Sequence, residues 1–493
     1  MRPVAPSRSY PATWWLRDDD GNEHRVPGLI SFDEANNPLV NLYGSLPGQW
    51  NDSFLLDAVN THVFPLLYGV TMDSHWTLVD SQVESYKRSM GSDIVDVVLR
   101  PRFVLAGDFY LQKDELAVTD VTLTLWDQDE WAGWRNSIVI TDRNAHEGSI
   151  LTVSHKPPTP TVAALDGATL SLVDDSWGHA LPDANGAVTV SASSAWVLDL
   201  NAPTSLDELL SQWIEPLVFM TTSATRRKTG LERMSVGCTK WVMEKTGEPA
   251  PGKLRLYAQS GTRPEGPLPE WGLLHRREDW DLKTQLPVLF SFVRAQRSAV
   301  DQYLSYRNAS GYTWQMRFAV LYQIIETLDR TLNPDPPKTE AQLAAVAAIQ
   351  RVVAGEPDLI PFAEELQTTI EHAQVKSLAQ RLSRLDQQAS GFLSTELSDK
   401  TWKNDLAGLR NIVAHGLEAS QELVTDRGPL WTGTQLIELL FEVRILTELG
   451  FTPERSATVL RENPRWYGRI TALKANLSVI NAMIQRAREA QQP

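Results

Sequence analysis

The first third of the chain alternates between apolar and polar positions with a period of two. The alternating runs are short, rich in β-branched residues, and bounded by turn residues such as the Asp/Gly/Asn cluster at 18–22. This pattern predicts half-buried β-strands. They are expected at residues 14–16, 28–32, 39–44, 94–99 and 118–126. Short strands at regular spacing are typical of an antiparallel sandwich or an open barrel, so residues 1–155 are predicted to form a β-rich N-terminal domain.

A second β-rich segment with one packed helix is predicted for residues 156–281, continuous with the first. It begins at a proline-rich connection, Lys156-Pro-Pro-Thr-Pro-Thr. Strands are expected within 168–201, at 236–244 and at 253–259. Ser205 and Glu208 have the spacing of a capping box, which predicts a helix from Ser205 to about Thr221 with a leucine-rich buried face.

Beyond Asp281 the hydrophobic period changes to 3.6, and Ala, Leu, Gln, Glu and Arg become frequent. Both features favour helix. Helices are predicted at 286–304, 312–332, 338–354, 358–388, 398–417, 433–450 and 468–490. The predicted fold class is therefore α+β and multidomain, with a β-rich N-terminal region followed by an all-α helical bundle over residues 282–493.

The predicted helix at 398–417 has two faces. An apolar stripe consists of Leu406, Leu409, Val413 and Leu417. The opposite side carries Asn404, Gly408, Asn411 and His415, with Arg410 between the two faces. Ala407, Gly408 and Ala414 are small enough for another backbone or a substrate to come close. This helix is thus expected to bury one face in the bundle and to offer the other to a partner.

Composition narrows the function classes. The chain is 42% hydrophobic and 22% charged, and its sequence has no apolar run of membrane-spanning length. Residues 1–8 lack the apolar region of a secretory signal, so no leader is expected. Its single cysteine, Cys238, excludes a disulfide framework, so a reducing cytoplasm is the expected location. The net charge of −15 argues against nonspecific nucleic-acid binding but leaves room for a local basic groove. The 17 tryptophans are expected to be core anchors.

Arg410-Asn-Ile-Val-Ala-His415 has an Arg-x4-His spacing with a polar residue after the arginine. This stretch resembles the signature of the HEPN ribonucleases, Arg-x4–6-His at a helix end in a bundle. The resemblance is closest to the Apea-like HEPN group of bacterial anti-phage proteins, which place a β-rich domain before the HEPN bundle. Residues 39–46 and 68–78 also resemble the N-terminal domain of that group.

The resemblance implies a metal-independent endoribonuclease, without a cofactor, that leaves a 2′,3′-cyclic phosphate and a 5′-hydroxyl. It implies cleavage of host RNA, with tRNA the expected target, in abortive infection started by a phage-encoded trigger. Two motif helices would meet across a homodimer. His415 would act as general acid or base, Arg410 would hold phosphate and stabilise its charge, and Asn411 would hold the phosphate or orient the histidine.

Spacing alone does not establish this site. Arg17 and His24 match Arg-x6-His as well, but they flank an Asp/Gly turn and do not lie on an amphipathic helix. The alternative for His415 is a C-terminal helix histidine before Gly416, favoured by the helix dipole and a left-handed cap.

Other candidates carry weaker signals. The basic residues Arg226, Arg227, Lys228, Arg276 and Arg277 are candidate RNA contacts, with a solvated loop as the alternative. Glu326 and Asn404 are candidate supporting residues, with a rim carboxylate as the alternative for Glu326. No metal site is predicted, because the spacing of His62, His75, His146, His155, His179 and His372 fits no ligand pattern. Walker A, Gly-x-Gly-x-x-Gly and Gly-x-Ser-x-Gly motifs are absent from the sequence, which disfavours an ATPase, a dehydrogenase and an α/β-hydrolase.

Two other functions remain open from the residues. A non-catalytic HEPN scaffold would use Arg410 and Asn411 to bind a nucleotide, an RNA or a protein. A carbohydrate- or peptide-binding β-sandwich with a helical dimerisation domain is the third reading, which the tryptophans permit without favouring it.

Overall fold

The computed structural model describes most of the chain and divides it into two compact units, residues 1–290 and 291–493. The described residues are 8–17, 23–34, 36–44, 62–88, 95–112, 115–133, 138–145, 148–155, 159–175, 193–238, 252–259, 261–269, 272–309, 311–337, 339–355, 360, 363, 366, 376–414 and 428–489. The first unit is β-rich and the second is helical, which confirms the predicted fold class.

The first unit contains fourteen strands among its described residues. They are β1 (Arg8–Arg17), β2 (Glu23–Phe32), β3 (Pro38–Tyr43), β4 (Val63–Val70), β5 (His75–Arg88), β6 (Val95–Gly107), β7 (Val118–Leu125), β8 (Ile138–Ala145), β9 (Gly148–His155), β10 (Thr161–Leu165), β11 (Ala168–Asp174), β12 (Ser194–Thr204), β13 (Leu231–Cys238) and β14 (Lys253–Ala258). All five strands predicted before residue 127 are present. The stretch Pro182-Asp-Ala-Asn-Gly186, whose composition predicts a turn, lies outside the described residues.

Six strands close into a barrel. The antiparallel pairings run β1–β2–β3–β6–β5–β4 and return to β1, where Trp14 pairs with Gly69. The sequence predicted a sandwich or an open barrel, and the β4–β1 pairing shows that the ring is closed. Closure leaves no free edge among these pairings and gives the inward-facing residues one shared core.

Strand β6 forks between the barrel and a second sheet. Its first half pairs with β3, at Val97↔Leu42, and its second half pairs with β14, at Val104↔Tyr257. From β14 the sheet continues in the order β13, β7, β12, β11 and β10. Strand β7 of the first predicted segment therefore lies between two strands of the second. The two β-rich segments share one twelve-stranded sheet, and β8 and β9 form a separate hairpin.

Trp14 is part of the barrel core and is fully buried. Around it pack apolar side chains from all six strands, including Ile30, Leu42, Leu78 and Leu99. Gly28 is required beside this ring, because a Cβ at that position would lie 2.7 Å from Trp14 Cδ1. The tryptophan thus fixes which neighbouring positions have to stay small.

Among the described residues of the first unit, two helices lie between strands. Helix α1 (Gln128–Ala132) follows β7, and helix α2 comprises Leu206–Glu208, a π-helical turn over Leu209–Ile214, and Glu215–Thr225. The predicted capping box is confirmed, since Glu208 N donates to Ser205 Oγ and Ser205 N donates to the Glu208 carboxylate. The helix ends four residues later than predicted.

The remaining helices have the following bounds. They are α3 (Leu282–Ala295), α4 (Arg297–Asn308), α5 (Trp314–Leu332), α6 (Glu340–Gly355), α7 (Leu378–Gln388), α8 (Phe392–Leu397), α9 (Trp402–Ala414), α10 (Pro429–Glu448), α11 (Pro453–Glu462) and α12 (Trp466–Glu489). The single helix predicted at 286–304 is wrong, because the chain breaks at Gln296 into α3 and α4. Helices α8 and α11 were not predicted. Of the helix predicted at 358–388, residues 360, 363, 366 and 376–388 are among the described ones.

Helix α10 lies at the centre of the helical unit. It packs against α5, α7, α9, α11 and α12. Its apolar residues point in all directions and are almost entirely buried, as expected for a helix surrounded by others. Gly433 allows the closest approach, because a Cβ there would lie 2.7 Å from Phe318 of α5 and 2.9 Å from Leu409 of α9. The motif helix is therefore held directly against the central helix.

Candidate functional site

Helix α9 carries the predicted motif and buries the predicted stripe. Leu406 and Leu409 are fully buried, and Val413 is half-buried. Ile412, which the sequence analysis did not include in the stripe, is also buried. His415 and Leu417 lie outside the described residues, so the geometry of the Arg410–His415 pair stays a prediction.

Arg410 lies beside a buried tyrosine of α5. Its guanidinium carbon is 5.7 Å from the centroid of the Tyr322 ring, and its side chain is half-buried. No carboxylate in the described part of the chain lies within the 4.0 Å ion-pair distance of Arg410. The stacked ring orients the guanidinium without neutralising it, which leaves N–H groups for an anion.

Glu326 lies one helical turn from Tyr322 on the same helix. Burial raises the pKa of Tyr322, the negative charge of Glu326 adds to this, and the positive charges of Arg410 and Arg381 oppose it. The Glu326 carboxylate is 3.7 Å from Arg330, an i,i+4 pair. Arg410 and Glu326 thus act on the same ring, while the Glu326 carboxylate itself pairs with Arg330.

A polar groove runs between α9 and α12, with a volume of about 350 Å³. Four amide side chains line it: Asn404, Asn411, Asn481 and Gln485. Asn404 and Asn411 are exposed, as their predicted face requires. Asn481 and Gln485 were not predicted. Their i,i+4 spacing is the one sequence signal that could have indicated a shared polar face.

The close approach expected at Gly408 is made within the chain. A Cβ at Gly408 would lie 3.0 Å from Ile484 Cδ1 of α12. The sequence left open whether another backbone or a substrate approached here, and α12 occupies that position. The exposed side chains of Asn404 and Asn411 remain accessible to a further partner of α9.

Buried polar contacts fix the start of α9. Lys403 Nζ is 3.1 Å from the Asp386 carboxylate, which is 1% exposed. Asp386 also accepts from the backbone N–H of Leu393 at 3.0 Å and from Ser394 Oγ. Trp402 Nε1 donates to the same Ser394 Oγ at 3.2 Å. Removing a donor from a buried carboxylate costs a large amount of free energy. These bonds therefore hold α9 in one position relative to α7 and α8.

A second buried ionic cluster fixes α5, the helix that carries Tyr322. Asp329 is fully buried and receives Arg381 Nη1 at 3.0 Å and two N–H groups of Arg384. Both arginines lie on α7. The α5 and α9 sides of the Arg410 environment are thus each tied to α7 by buried charge.

Two of the basic candidates, Arg227 and Arg277, contact other segments of the first unit. Arg227 donates to the carbonyl oxygens of Glu265 and Gly266 and lies 3.5 Å from Asp127. Arg277 donates to Thr161 Oγ1 at 2.8 Å and to the carbonyl of Trp280. These contacts give the two guanidiniums structural roles, and their contact with RNA stays a prediction.

The remaining three basic candidates lie nearby. Arg226 directly follows α2 and caps it in the left-handed conformation, and burial lowers the pKa of Lys228. Arg276 is 4.0 Å from Glu278. The hydrogen bond from Leu274 N to Ala224 O, 2.6 Å long, brings the two basic stretches to one end of α2.

His275 is a buried structural histidine. It is 1% exposed, its Nδ1 accepts from Trp280 Nε1 at 2.9 Å, and its Nε2 lies 3.5 Å from Ser223 Oγ. Arg17 and His24, the pair rejected as a motif, lie on the adjacent strands β1 and β2.

No group of three or more metal-ligating side chains occurs within the described ranges. Within those ranges no helix is long and apolar enough to cross a membrane.

Two family models match the chain. The ApeA N-terminal domain 1 model matches residues 9–239, and the Apea-like HEPN model matches residues 320–455. No curated protein and no solved structure is significantly similar to the chain. The HEPN match includes Glu326, Asn404, Arg410, Asn411 and His415. Because the two domains occur in the expected order, the chain belongs to the Apea-like HEPN family, a HEPN nuclease-type family of anti-phage defence.

Proposed function

We propose that the protein is a metal-independent endoribonuclease of anti-phage defence that cleaves host RNA. The observation that supports this proposal best is the environment of Arg410. Its guanidinium is half-buried and pairs with no carboxylate of the described residues, and the next residue, Asn411, is exposed. Asn411 and His415 are four residues apart, so a helix that continued to His415 would place both on one face. The three groups would then surround one phosphate.

The chemistry follows from these groups. The RNA 2′-hydroxyl attacks the adjacent phosphorus while a base accepts its proton, and the P–O5′ bond breaks as an acid protonates the leaving oxygen. The products are a 2′,3′-cyclic phosphate and a 5′-hydroxyl. His415 would transfer protons, and Arg410 would stabilise the charge on the phosphate oxygens. A homodimer would supply two histidines, one for each proton transfer.

The proposed substrate is tRNA, and the proposed outcome is abortive infection after a phage-encoded trigger. The amides of Asn481 and Gln485 would contact the RNA beside the cleaved bond, because amide groups pair with base edges. This would take place in the cytoplasm.

Purified wild-type and variant proteins incubated with a tRNA pool in EDTA would test the catalytic roles. His415→Ala is expected to lower the cleavage rate by about 10³-fold, within the range for general acid–base groups. Arg410→Lys is expected to lower it by about 10- to 100-fold, since a point charge cannot replace a bidentate grip. End-group analysis would show the cyclic phosphate.

The Arg-x6-His spacing of Arg17 and His24 provides matched controls. Arg17→Lys and His24→Ala remove the same residue types from strands, and both should cleave at the wild-type rate. Equal cleavage by wild type and His415→Ala would contradict the catalytic role. RNA binding without cleavage by any form would instead favour the non-catalytic scaffold, for which the amide-lined groove is the favouring observation.

Two further comparisons address the finer claims. Asn481→Ala should lower cleavage efficiency by about tenfold or more, whereas Ser478→Ala, exposed on the same helix, should not. Light scattering coupled to size exclusion should give twice the monomer mass. A strict monomer with full activity would exclude the composite dimer site.

A further inference from the structure

A cavity of about 490 Å³ opens at the mouth of the β-barrel, in the first unit. It lies where β6 leaves β3 and joins β14, so the start of β1 and the turn between β4 and β5 face strand β14 across it. Its volume falls in the range of about 300–1,000 Å³ typical of small-molecule sites, which often occupy barrel mouths.

Aromatic rings form one side of this barrel-mouth cavity. The rings of Trp76 and Tyr257 are stacked, with centroids 6.4 Å apart, and the Tyr10 ring lies 6.1 Å from that of Trp76. Trp76 Nε1 donates to Thr71 Oγ1 at 3.2 Å, which fixes the indole. Trp76 is buried in the barrel core, while Tyr10 is 37% exposed. The cavity thus offers preformed aromatic surface, partly accessible, against which a flat ring can stack.

Cationic groups of β14 form another side. Lys253, Arg255 and Tyr257 alternate along the strand and share its outer face, because the intervening Leu254 and Leu256 are buried. Lys253 already pairs with Asp120 at 3.0 Å. Arg255 donates to Tyr257 Oη at 3.3 Å, and no carboxylate of the described residues lies within ion-pair distance of it. Arg255 is therefore the cation available to a ligand.

We propose that the barrel-mouth cavity binds a nucleoside phosphate, with the base stacked on Tyr10 and Tyr257 and the phosphate held by Arg255. Flat bases stack on aromatic side chains without regard to sequence, and a guanidinium binds phosphate in a bidentate manner. Asp73, on the turn that lines the cavity, provides an acceptor for sugar hydroxyls or a base amino group. The site is distinct from the proposed nuclease site and does not depend on it.

Isothermal titration of the full chain with AMP, adenosine and inorganic phosphate would test the site. AMP is expected to bind, and adenosine and phosphate are each expected to bind at least about tenfold more weakly, because each lacks half of the recognised group. Arg255→Met and Tyr10→Ala should each weaken AMP binding by about tenfold or more.

Arg100→Met is the matched control. Arg100 lies on β6, is 50% exposed, and pairs with Glu84 outside the cavity, so this variant should bind AMP like the wild type. Thermal unfolding of every variant would confirm that the barrel is intact. No AMP binding by the wild type at millimolar concentration, or unchanged binding by a folded Arg255→Met, would overturn the proposal. Phosphate binding as tightly as AMP would overturn the nucleotide assignment. RNA cleavage by Arg255→Met reports on the nuclease separately.

Discussion

Cys238 has a thiol that stays protonated far above neutral pH. Burial raises its pKa to about 12, and the negative charges of Asp120 and Glu115 add to this effect. The thiolate is the reactive form of cysteine, so the sole thiol of the chain is expected to be unreactive in the native protein. The residue is thus a natural reporter of unfolding.

Labelling of Cys238 with iodoacetamide at pH 8 should be at least about 10²-fold slower in the native protein than in the urea-unfolded protein, where the pKa returns to about 8.5. The native rate should keep rising with pH beyond 9, because the native thiol has not yet ionised there. A native rate that levels off near pH 9 would contradict the raised pKa. Mass spectrometry of the alkylated peptide measures both rates.

Single residues differ in how well sequence predicts them. The Ser205–Glu208 capping box depends on groups three residues apart, so spacing alone was sufficient. The setting of Arg410 depends on Tyr322, nearly ninety residues earlier in the chain, and no local pattern indicates that contact. The same holds for Gly408, whose neighbour Ile484 belongs to the last helix. Sequence thus indicated that Arg410 and Gly408 were notable positions, but it did not indicate which distant residues they contact.

At the scale of the elements, the packing of α10 depends on one small residue. Gly433 lies inside this helix, where glycine costs about 0.5–1 kcal/mol relative to alanine. Glycine is nevertheless favoured at this position, because Phe318 and Leu409 occupy the space that a Cβ would need. The close packing of α9 against α10 therefore depends on the absence of a side chain at position 433.

Gly433→Ala should destabilise the helical unit by about 1–3 kcal/mol, because overpacking displaces two core side chains. Gly468→Ala is the matched comparison, since that glycine lies in α12 with no atom near its Cβ position. It should be neutral or stabilising by up to about 1 kcal/mol. Urea unfolding monitored by tryptophan fluorescence and circular dichroism measures both. Equal effects of the two variants would show that helix propensity alone decides, against the packing argument.

Element boundaries followed the sequence where local signals were strong. Helix α5 was predicted from Tyr312 and begins at Trp314, where Thr313 caps it. The break at Gln296 was not predictable, because residues 286–304 keep an unbroken apolar period on both sides of it. Helices α8 and α11 have six and ten residues, too few turns for the period to show clearly.

At the scale of the whole molecule, sequence predicted the order of a β-rich region and a helical region but not the strand pairing. The period of two identifies strands and their buried face. It does not indicate that β7 lies between β12 and β13, or that β14 joins β6 from 150 residues away. The groove between α9 and α12 was not predictable for the same reason, because it forms between helices that are distant in the sequence.

Strand β6 has a consequence for how the first unit unfolds. Val104 pairs with Leu78 of β5 inside the barrel and with Tyr257 of β14 in the adjoining sheet. The backbone amides around it have a neighbour on each side, and neither the barrel nor the sheet can open here without disturbing the other. The barrel and the adjoining sheet are therefore expected to unfold as a single cooperative unit.

Native-state hydrogen exchange would make this visible. Amides of residues 103–106 should exchange only by global unfolding and so report the full unfolding free energy of the unit. Those of β10, which lies next to β11 at the end of the strand order formed by the described residues, should exchange by local fraying at lower free energy. Urea should then shift the exchange of residues 103–106 in parallel with that of the core strands β2 and β7. Separate urea dependences for β2 and β7 would instead divide the unit into two independent folding domains that merely share a strand.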